Sequence, residues 1–256
     1  MNQLFAFDDV AELYDAARPA YPAALADDVI AAADLVRDDA ILEVGCGTGQ
    51  ATEAFARRGY DIVAVEPGGA LARLARRRLE AFPNAAVVRT RFEDWRLEAG
   101  VFRAVIAAQS WHWIDPEIRF AKAATALCPG GVLAVFGHVP MAPPPAVAQA
   151  FDAVFARLAP ELAGPPAEDW YRPDGPLPEL FAESGLFWPV SHRAYGWSVT
   201  RTGESLAEYL RTTSPYQRLE PERREAVLDA LRQAVDDLGG RFEHGWETHL
   251  HLARRS

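Results

Sequence analysis

The segment 40–50, which reads AILEVGCGTGQ, is the feature that most constrains how this chain can fold. An apolar run ends in a turn that has glycine at three alternate positions, Gly45, Gly47 and Gly49. Glycine lacks a Cβ, so the backbone can turn sharply there and approach a ligand closely. In α/β proteins such a turn, after the first strand, seats a nucleoside-containing cofactor. The sequence therefore predicts a strand, a cofactor-binding turn and a helix in that order.

Apolar runs alternate with helical patterns through the first half of the chain. Strands are predicted at 40–46, 61–66, 85–90, 102–109 and 131–137. Continuous apolar runs are typical of strands that helices cover on both faces, so a largely parallel sheet is expected. A helix is predicted to start at Asp115-Pro116, because Asp caps helices well and Pro favours the first helical position.

The composition changes after residue 139. Ten of the chain's 19 prolines lie within residues 140–178, which predicts an insertion or cap, with a linker as the open alternative. A short helix is expected there at 146–158. Beyond it, the pattern predicts strands at 187–199 and 246–253 and helices at 205–213 and 221–238.

Charge and composition exclude several function classes. The formal net charge of −10 disfavours nucleic acid or an anionic membrane as a partner, since both attract basic surfaces. The first nine residues lack the basic start and apolar core of a signal peptide, and no run is long enough to span a bilayer. Two cysteines give neither a disulfide framework nor metal-ligand spacing. We expect a cytoplasmic protein without a metal, either a monomer or a homodimer, that acts on a small molecule.

The residues around the glycine turn narrow the choice of cofactor. A dinucleotide fingerprint would need its third glycine one place later, where Gln50 stands. Glu43 lies inside the strand, and a buried acid there is costly unless it holds a donor such as an ammonium group. Glu66 ends the second strand, where a carboxylate can accept hydrogen bonds from both hydroxyls of a ribose.

With these motifs the chain resembles the class I S-adenosylmethionine-dependent methyltransferases, specifically the small-molecule group with a type 11 or type 25 domain. The resemblance covers about residues 10–137. Its motifs are residues 42–49, 65–67, 92–95, 107–113 and 127–133, together with Tyr14, Arg18, Pro19, Tyr21 and Pro22 near the N-terminus. It implies a Rossmann-like α/β fold: a seven-stranded, mostly parallel sheet with an antiparallel last strand, helices on both faces, and a small cap.

The resemblance also implies a set of site residues. The expected cofactor-binding residues are Tyr14, Arg18, Glu43, Gly45, Gly47, Gly49, Glu66, Pro67, Phe92, Glu93 and Gln109. Many relatives have an Asp as the adenine acceptor where this chain has Arg91. Phe92 stacking and Glu93 are expected to substitute for it, and Asp94 stays open as the alternative acceptor.

A second group of residues is expected around the methyl acceptor. Trp111 and Trp113 follow a strand end, where bulky indoles can form a wall around an apolar or cationic group, and core packing is expected for at least one of them. Tyr21 and His138 are the other expected substrate contacts. His112 is the candidate general base, because a neutral imidazole can deprotonate a hydroxyl or an amine, and His138 is its rival.

The expected organisation is one methyltransferase domain over 1–256. Residues 1–35 form an N-terminal helical lid, 36–139 the cofactor-binding core, 140–186 the Pro-rich insertion or cap, and 187–256 the strands and helices that complete the sheet and substrate pocket. The expected function is methyl transfer from S-adenosyl-L-methionine to an oxygen, nitrogen or carboxylate acceptor by in-line displacement. Two alternatives stay open, a protein that binds this cofactor without transferring the methyl group, and a nicotinamide-dependent oxidoreductase.

Overall fold

A computed structural model describes residues 8–256 of the chain. Residues 1–7 lie outside the described part. They include the start of the predicted lid and most of the N-terminal stretch that argued against a signal peptide.

Within the described residues, seven strands form one sheet in the order β3-β2-β1-β4-β5-β7-β6. The strands are β1 (Ala40–Val44), β2 (Asp61–Glu66), β3 (Ala85–Arg89), β4 (Phe102–Ala108), β5 (Leu127–Pro140), β6 (Phe187–Thr202) and β7 (Arg241–Arg255). The first five pair in parallel, and β7 runs antiparallel to both of its neighbours. The expected mostly parallel sheet with an antiparallel last strand is confirmed.

Helices cover both faces of this sheet. They are α1 (Ala11–Ala17), α2 (Ala23–Ala33), α3 (Gln50–Ala56), α4 (Gly69–Arg78), α5 (Arg119–Ala126), α6 (Pro145–Leu158), α7 (Leu177–Ser184), α8 (Gly203–Arg211), α9 (Ser214–Gln217) and α10 (Pro221–Asp237). Alternate residues of one strand enter different cores: Leu42 and Val44 pack on one face of β1, and Ile41 packs on the other. All three are fully buried, as expected for a strand covered on both faces.

Two sequence-based boundaries differ from the structure. The last strands are longer than the pattern indicated, because β6 and β7 pair with each other as far as Thr202 and Arg241. The predicted helix start at Pro116 is wrong, since α5 begins at Arg119. The Asp115 side chain accepts a hydrogen bond from the Glu117 amide, and the Asp115 amide donates to Glu93, so these residues form a turn before the helix.

The Pro-rich segment contributes to two different parts of the molecule. Helix α6 packs against α10, where Val154 joins a cluster with Leu228 and Leu231. Helix α7 instead places Leu177 and Phe181 in the main core beside β6. None of the helices within residues 8–256 has both the length and the apolarity needed to cross a membrane.

The turn after β1 needs glycine at position 45 for two reasons, and we expect Gly45→Ala to be strongly destabilising. Gly45 has φ +69°, and an added Cβ would lie 2.6 Å from the Ser110 Cβ. Gly59 is a matched control, because it has φ +87° but open space around it. We expect Gly59→Ala to lower the free energy of unfolding by about 1–2 kcal/mol and Gly45→Ala by roughly 2 kcal/mol more. Urea unfolding measures both, and equal losses would contradict a steric contribution at Gly45.

Candidate functional site

The Glu66 carboxylate ties the glycine turn after β1 to the turn after β2. Its Oε2 accepts a hydrogen bond from the Gly47 amide at 2.9 Å, and its Oε1 accepts one from the Gly68 amide at 2.8 Å. Burial raises the pKa of Glu66, whereas these two bonds oppose the rise because they stabilise the charged form. Each carboxylate oxygen keeps a further lone pair that can accept from a ligand.

Glu43 is a buried carboxylate with one oxygen unsatisfied. Its Oε2 accepts a hydrogen bond from Thr52 Oγ1 at 2.5 Å, whereas Oε1 is buried without a hydrogen-bond partner. Burial raises the pKa of Glu43 to about 8. An unsatisfied buried acid is costly, so its Oε1 is suited to a hydrogen-bond donor supplied by a ligand.

A first cavity lies between these two carboxylates, with about 810 Å³ of empty space that includes a part open to solvent. The predicted cofactor residues that line it are Tyr14, Glu43, Gly45, Gly47, Glu66, Pro67 and Gln109. Tyr21 and Trp113, which were expected at the substrate, also line this cavity. Gly49 lies at the start of α3, where an added Cβ would come within 3.3 Å of Ala75, so its role is close packing of that helix on α4.

A second cavity of about 520 Å³ adjoins the first. Tyr14, Gln109 and Trp113 line both cavities, so the two are separated only by these side chains. The second cavity is completed by Arg18, His112, Ala167, Glu168, Tyr171, Ser214 and Pro215. Gln109 has φ +51°, an uncommon conformation for a residue with a side chain, and its amide donates to the Phe136 carbonyl at 2.8 Å. This conformation holds Gln109 at the boundary of the two cavities.

Arg18 is held rigidly in the wall of the second cavity. Its Nε donates to Thr212 Oγ1 at 3.1 Å and its Nη2 donates to the Thr212 carbonyl at 2.8 Å. The guanidinium also lies over the rings of Tyr14 and Tyr209, at 4.8 and 5.0 Å from their centroids. Arg18 makes no ion pair with any carboxylate of residues 8–256. The cavity therefore presents a fixed cation that no carboxylate among the described residues contacts directly, although Glu168 of the same cavity lies near enough to act on it electrostatically.

His112 lies in the same cavity beside Tyr171. Its Nδ1 is 2.9 Å from the Tyr171 hydroxyl, and Tyr171 itself is buried against Gly137 of β5. His112 stays accessible to solvent through the cavity, but the surrounding protein desolvates the ring and lowers its pKa to about 4, with a smaller effect from Arg119. The imidazole is therefore neutral at pH 7 and is a weak base.

Besides Gly49, four predicted site residues line neither of these two cavities. Trp111 is fully buried against Phe120, Phe92 lies in the same core, and His138 is buried beneath the Tyr21 ring, 2.8 Å from Thr248 Oγ1. Glu93 accepts from the Asp115 amide. Of the two tryptophans, only Trp113 lines a cavity, so the expected core packing of one indole holds for Trp111. Contacts of Phe92 and Glu93 with adenine stay predictions.

Sequence reasoning missed Glu168, whereas Tyr171 is among the aromatic residues of the Pro-rich segment that the sequence predicts to be buried and to help select the substrate. Nothing in the local pattern of either residue indicates that it returns to the end of β4. In the described part of the chain, no group of three or more His, Cys, Asp or Glu side chains could hold a metal ion.

Comparisons with known proteins agree with this geometry. A methyltransferase domain model matches residues 41–131. An uncharacterised methyltransferase of Mycobacterium tuberculosis is 33% identical over 127 residues, which are 50% of this chain and 49% of that protein. A structure of a candidate type II methyltransferase from Anaeromyxobacter dehalogenans is 26% identical, with a TM-score of 0.66, and the match covers 93% of this chain and 97% of the other.

The chain is therefore similar to methyltransferases in sequence over residues 41–131 and in its overall fold. A more distant structure, the phosphoethanolamine N-methyltransferase 2 of Haemonchus contortus, shares the fold at 12% identity with a TM-score of 0.55, over 97% of this chain and 57% of the other. The chain spans about half the length of the curated relatives that it matches. The family match ends at Gly131, so it includes the first cavity's glycine turn but neither Glu168 nor Tyr171 of the second.

The raised pKa of Glu43 predicts that the protein without ligand loses stability as the pH rises. The usual glutamate value is 4.5 and the folded value is about 8, so between these pH values the folded protein holds a proton that the unfolded chain has released. Stability from this group therefore falls across that window. We expect Glu43→Gln to remove the loss, with little effect at pH 5 and a gain on the order of 2–4 kcal/mol at pH 8.

Urea unfolding at both pH values measures this effect. The exposed Glu80→Gln serves as the control, and we expect it to behave as the unaltered protein does at pH 5 and at pH 8. A Glu43→Gln variant that gains no stability at pH 8 would contradict the raised pKa.

Proposed function

We propose that this methyltransferase binds S-adenosyl-L-methionine in the first cavity and transfers its methyl group to a small carboxylic acid in the second. The observation that carries the proposal is that two cavities meet at Tyr14, Gln109 and Trp113, with buried carboxylates in one and in the other an arginine that makes no ion pair with a described residue. The ligands bound to the Haemonchus contortus structure include S-adenosylhomocysteine, the demethylated form of the same cofactor, which supports this choice.

The residues of the first cavity fit this cofactor chemically. Glu43 Oε1 lacks a donor, and the cofactor's methionine part carries an ammonium group. Glu66 faces the same cavity with spare lone pairs for two ribose hydroxyls. Gly47 has no side chain, so the backbone of the turn stays open to a close approach. The nicotinamide alternative is less well supported, because Gln50 occupies the place of the third glycine of a dinucleotide site.

Catalysis in this arrangement depends on positioning. When bound, S-adenosyl-L-methionine supplies an electrophilic methyl group whose leaving group is a neutral thioether that needs no proton. Gln109 and Trp113 form the boundary at which an acceptor atom in the second cavity can face the first. Arg18, which is held by Thr212 and two tyrosine rings, can fix the acceptor in line with the breaking bond.

The titration behaviour of the second cavity favours a carboxylate as the acceptor. Hydroxyl and amine acceptors are protonated near pH 7 and need a base, but His112 has a pKa of about 4. A carboxylate is already ionised near pH 7 and needs no base. The fixed charge of Arg18 attracts the carboxylate, and the guanidinium N–H groups can donate hydrogen bonds to it. His112 then acts as a hydrogen-bonding partner of the acceptor rather than as a base.

Glu168 supports a second candidate acceptor. This half-buried carboxylate also lines the second cavity and makes no hydrogen bond or ion pair with a described residue. It could bind an ammonium-bearing acceptor, and methyl transfer to nitrogen would follow. The net charge of −10 supports a small molecule rather than nucleic acid in either case. A cytoplasmic monomer or homodimer remains part of the proposal.

Binding of S-adenosylhomocysteine should release protons, which tests the cofactor assignment. At pH 7 most Glu43 carboxyls carry a proton, and a neighbouring ammonium group favours the ionised form. We expect calorimetry in buffers of different ionisation enthalpy to show release of close to one proton, and Glu43→Gln to abolish it while weakening affinity by about tenfold. NAD should not bind. Tight binding of S-adenosylhomocysteine with no methylated product from acids, phenols or amines would favour a binding protein without transferase activity.

The role of Arg18 can be separated from cofactor binding. For a carboxylic acid acceptor, we expect Arg18→Met to lower kcat/KM by about 10- to 100-fold, mainly through KM, because a charge-assisted hydrogen bond is lost. Arg18→Lys should restore part of this loss, since it keeps the charge. Affinity for S-adenosylhomocysteine should be unchanged in both variants. If Arg18→Met weakens S-adenosylhomocysteine binding instead, Arg18 belongs to the cofactor site, as the sequence resemblance implied.

A further inference from the structure

A third cavity lies beside the second and is much larger. It contains about 1590 Å³ of empty space, including the part that is open to solvent, between α6, α8, α9 and the segment 140–143. Ala167, Glu168 and Pro215 line both the second and the third cavity, so the two adjoin there. The family match and the first two cavities leave this space without a role.

The third cavity is lined mainly by apolar side chains. They include Met141, Phe151, Phe155, Leu162, Leu206 and Leu210. Phe151, Phe155, Leu162 and Leu210 are only partly buried, although each borders a packed cluster. Apolar surface that faces an open cavity gains free energy when an apolar ligand covers it.

Much of the charge around this cavity is neutralised. Glu161 pairs with Arg223 at 2.7 Å, and Asp169 pairs with Arg172 at 2.6 Å. Among the described residues, Glu168 and Arg218 make no such pair, but Glu168 stands at the junction with the second cavity and Arg218 is exposed to solvent. The interior therefore suits an uncharged apolar body.

We propose that the methyl acceptor is an elongated amphiphilic acid, with its carboxylate in the second cavity and its apolar body in the third. The inference rests on the proposed function, because it names the substrate class of the same site. The charges along the path set the orientation of the acid. Arg18 attracts the carboxylate into the second cavity, and Glu168 repels it from the junction. The chain then passes Ala167 and covers the apolar wall of α6 and α8.

Unbranched acids of increasing length test this inference directly. We expect kcat/KM to rise from butanoate to octanoate to dodecanoate. Each fully buried methylene is worth about fourfold, so octanoate should exceed butanoate by at least about tenfold. If kcat/KM does not rise from butanoate to the longer acids, the third cavity is not part of the substrate site.

A substitution confined to the third cavity separates the two cavities. Ala142 is exposed and lines the third cavity but neither of the others, so Ala142→Trp should occupy part of the third cavity without disturbing the core. We expect this variant to keep activity on butanoate and to lose at least about tenfold on dodecanoate. Ala163→Trp is the matched control, because Ala163 is exposed in the same Pro-rich segment and lines none of the three cavities. A length dependence that persists in Ala142→Trp overturns the inference.

Failure of the inference and failure of the proposed function give different results. Methylation of butanoate and dodecanoate at equal rates supports the function and overturns the inference. If no acid is methylated, the proposed acceptor class is wrong, and dodecanoate is then titrated into the complex with S-adenosylhomocysteine. Dodecanoate binding that is lost in Ala142→Trp and kept in Ala163→Trp would still place an amphiphile in the third cavity. If dodecanoate does not bind to this complex, the assignment of the third cavity to an amphiphile is overturned as well.

Discussion

The site depends on one buried carboxylate that holds two turns together. Glu66 accepts hydrogen bonds from the amides of Gly47 and Gly68, and these turns follow adjacent parallel strands. Removing a carboxylate from water costs several kcal/mol, and the two amide bonds offset part of that cost. The same bonds fix the glycine turn relative to β2. The residue that the sequence assigned to ribose binding therefore also builds the wall of the cavity in which a ribose would lie.

The features predicted best from the sequence are those that depend on neighbours along the chain. Continuous apolar runs located the parallel strands, and the glycine spacing located the turn, because both signals arise within a few residues. Boundaries were predicted less well where a distant residue decides them. Helix α5 starts late because Asp115 is held by Glu93, and β6 and β7 are long because they pair with each other. Neither partner can be identified from local pattern.

The second cavity was harder to predict for the same reason. Trp111 and Trp113 are two residues apart and have the same side chain, yet one is core and the other lines both cavities. A 3-10 helix at this strand end turns successive side chains in different directions. Tyr171 reaches His112 only because the Pro-rich segment crosses β5 at Gly137, where its ring occupies the space of a missing side chain. That crossing also explains how His112 comes to be a weak base, which its sequence position does not indicate.

The distribution of charge supports the proposed placement of the two ligands. The first cavity contains Glu43 and Glu66, whereas the second contains Arg18, with the Glu168 carboxylate at its junction with the third. Under the proposed function, the ammonium and sulfonium groups of the donor would be attracted to Glu66 and would favour the ionised form of Glu43, and an anionic acceptor would be held by Arg18 outside the first cavity. Loss of the methyl group would remove the sulfonium charge, so the same carboxylates would hold the product less strongly than the donor.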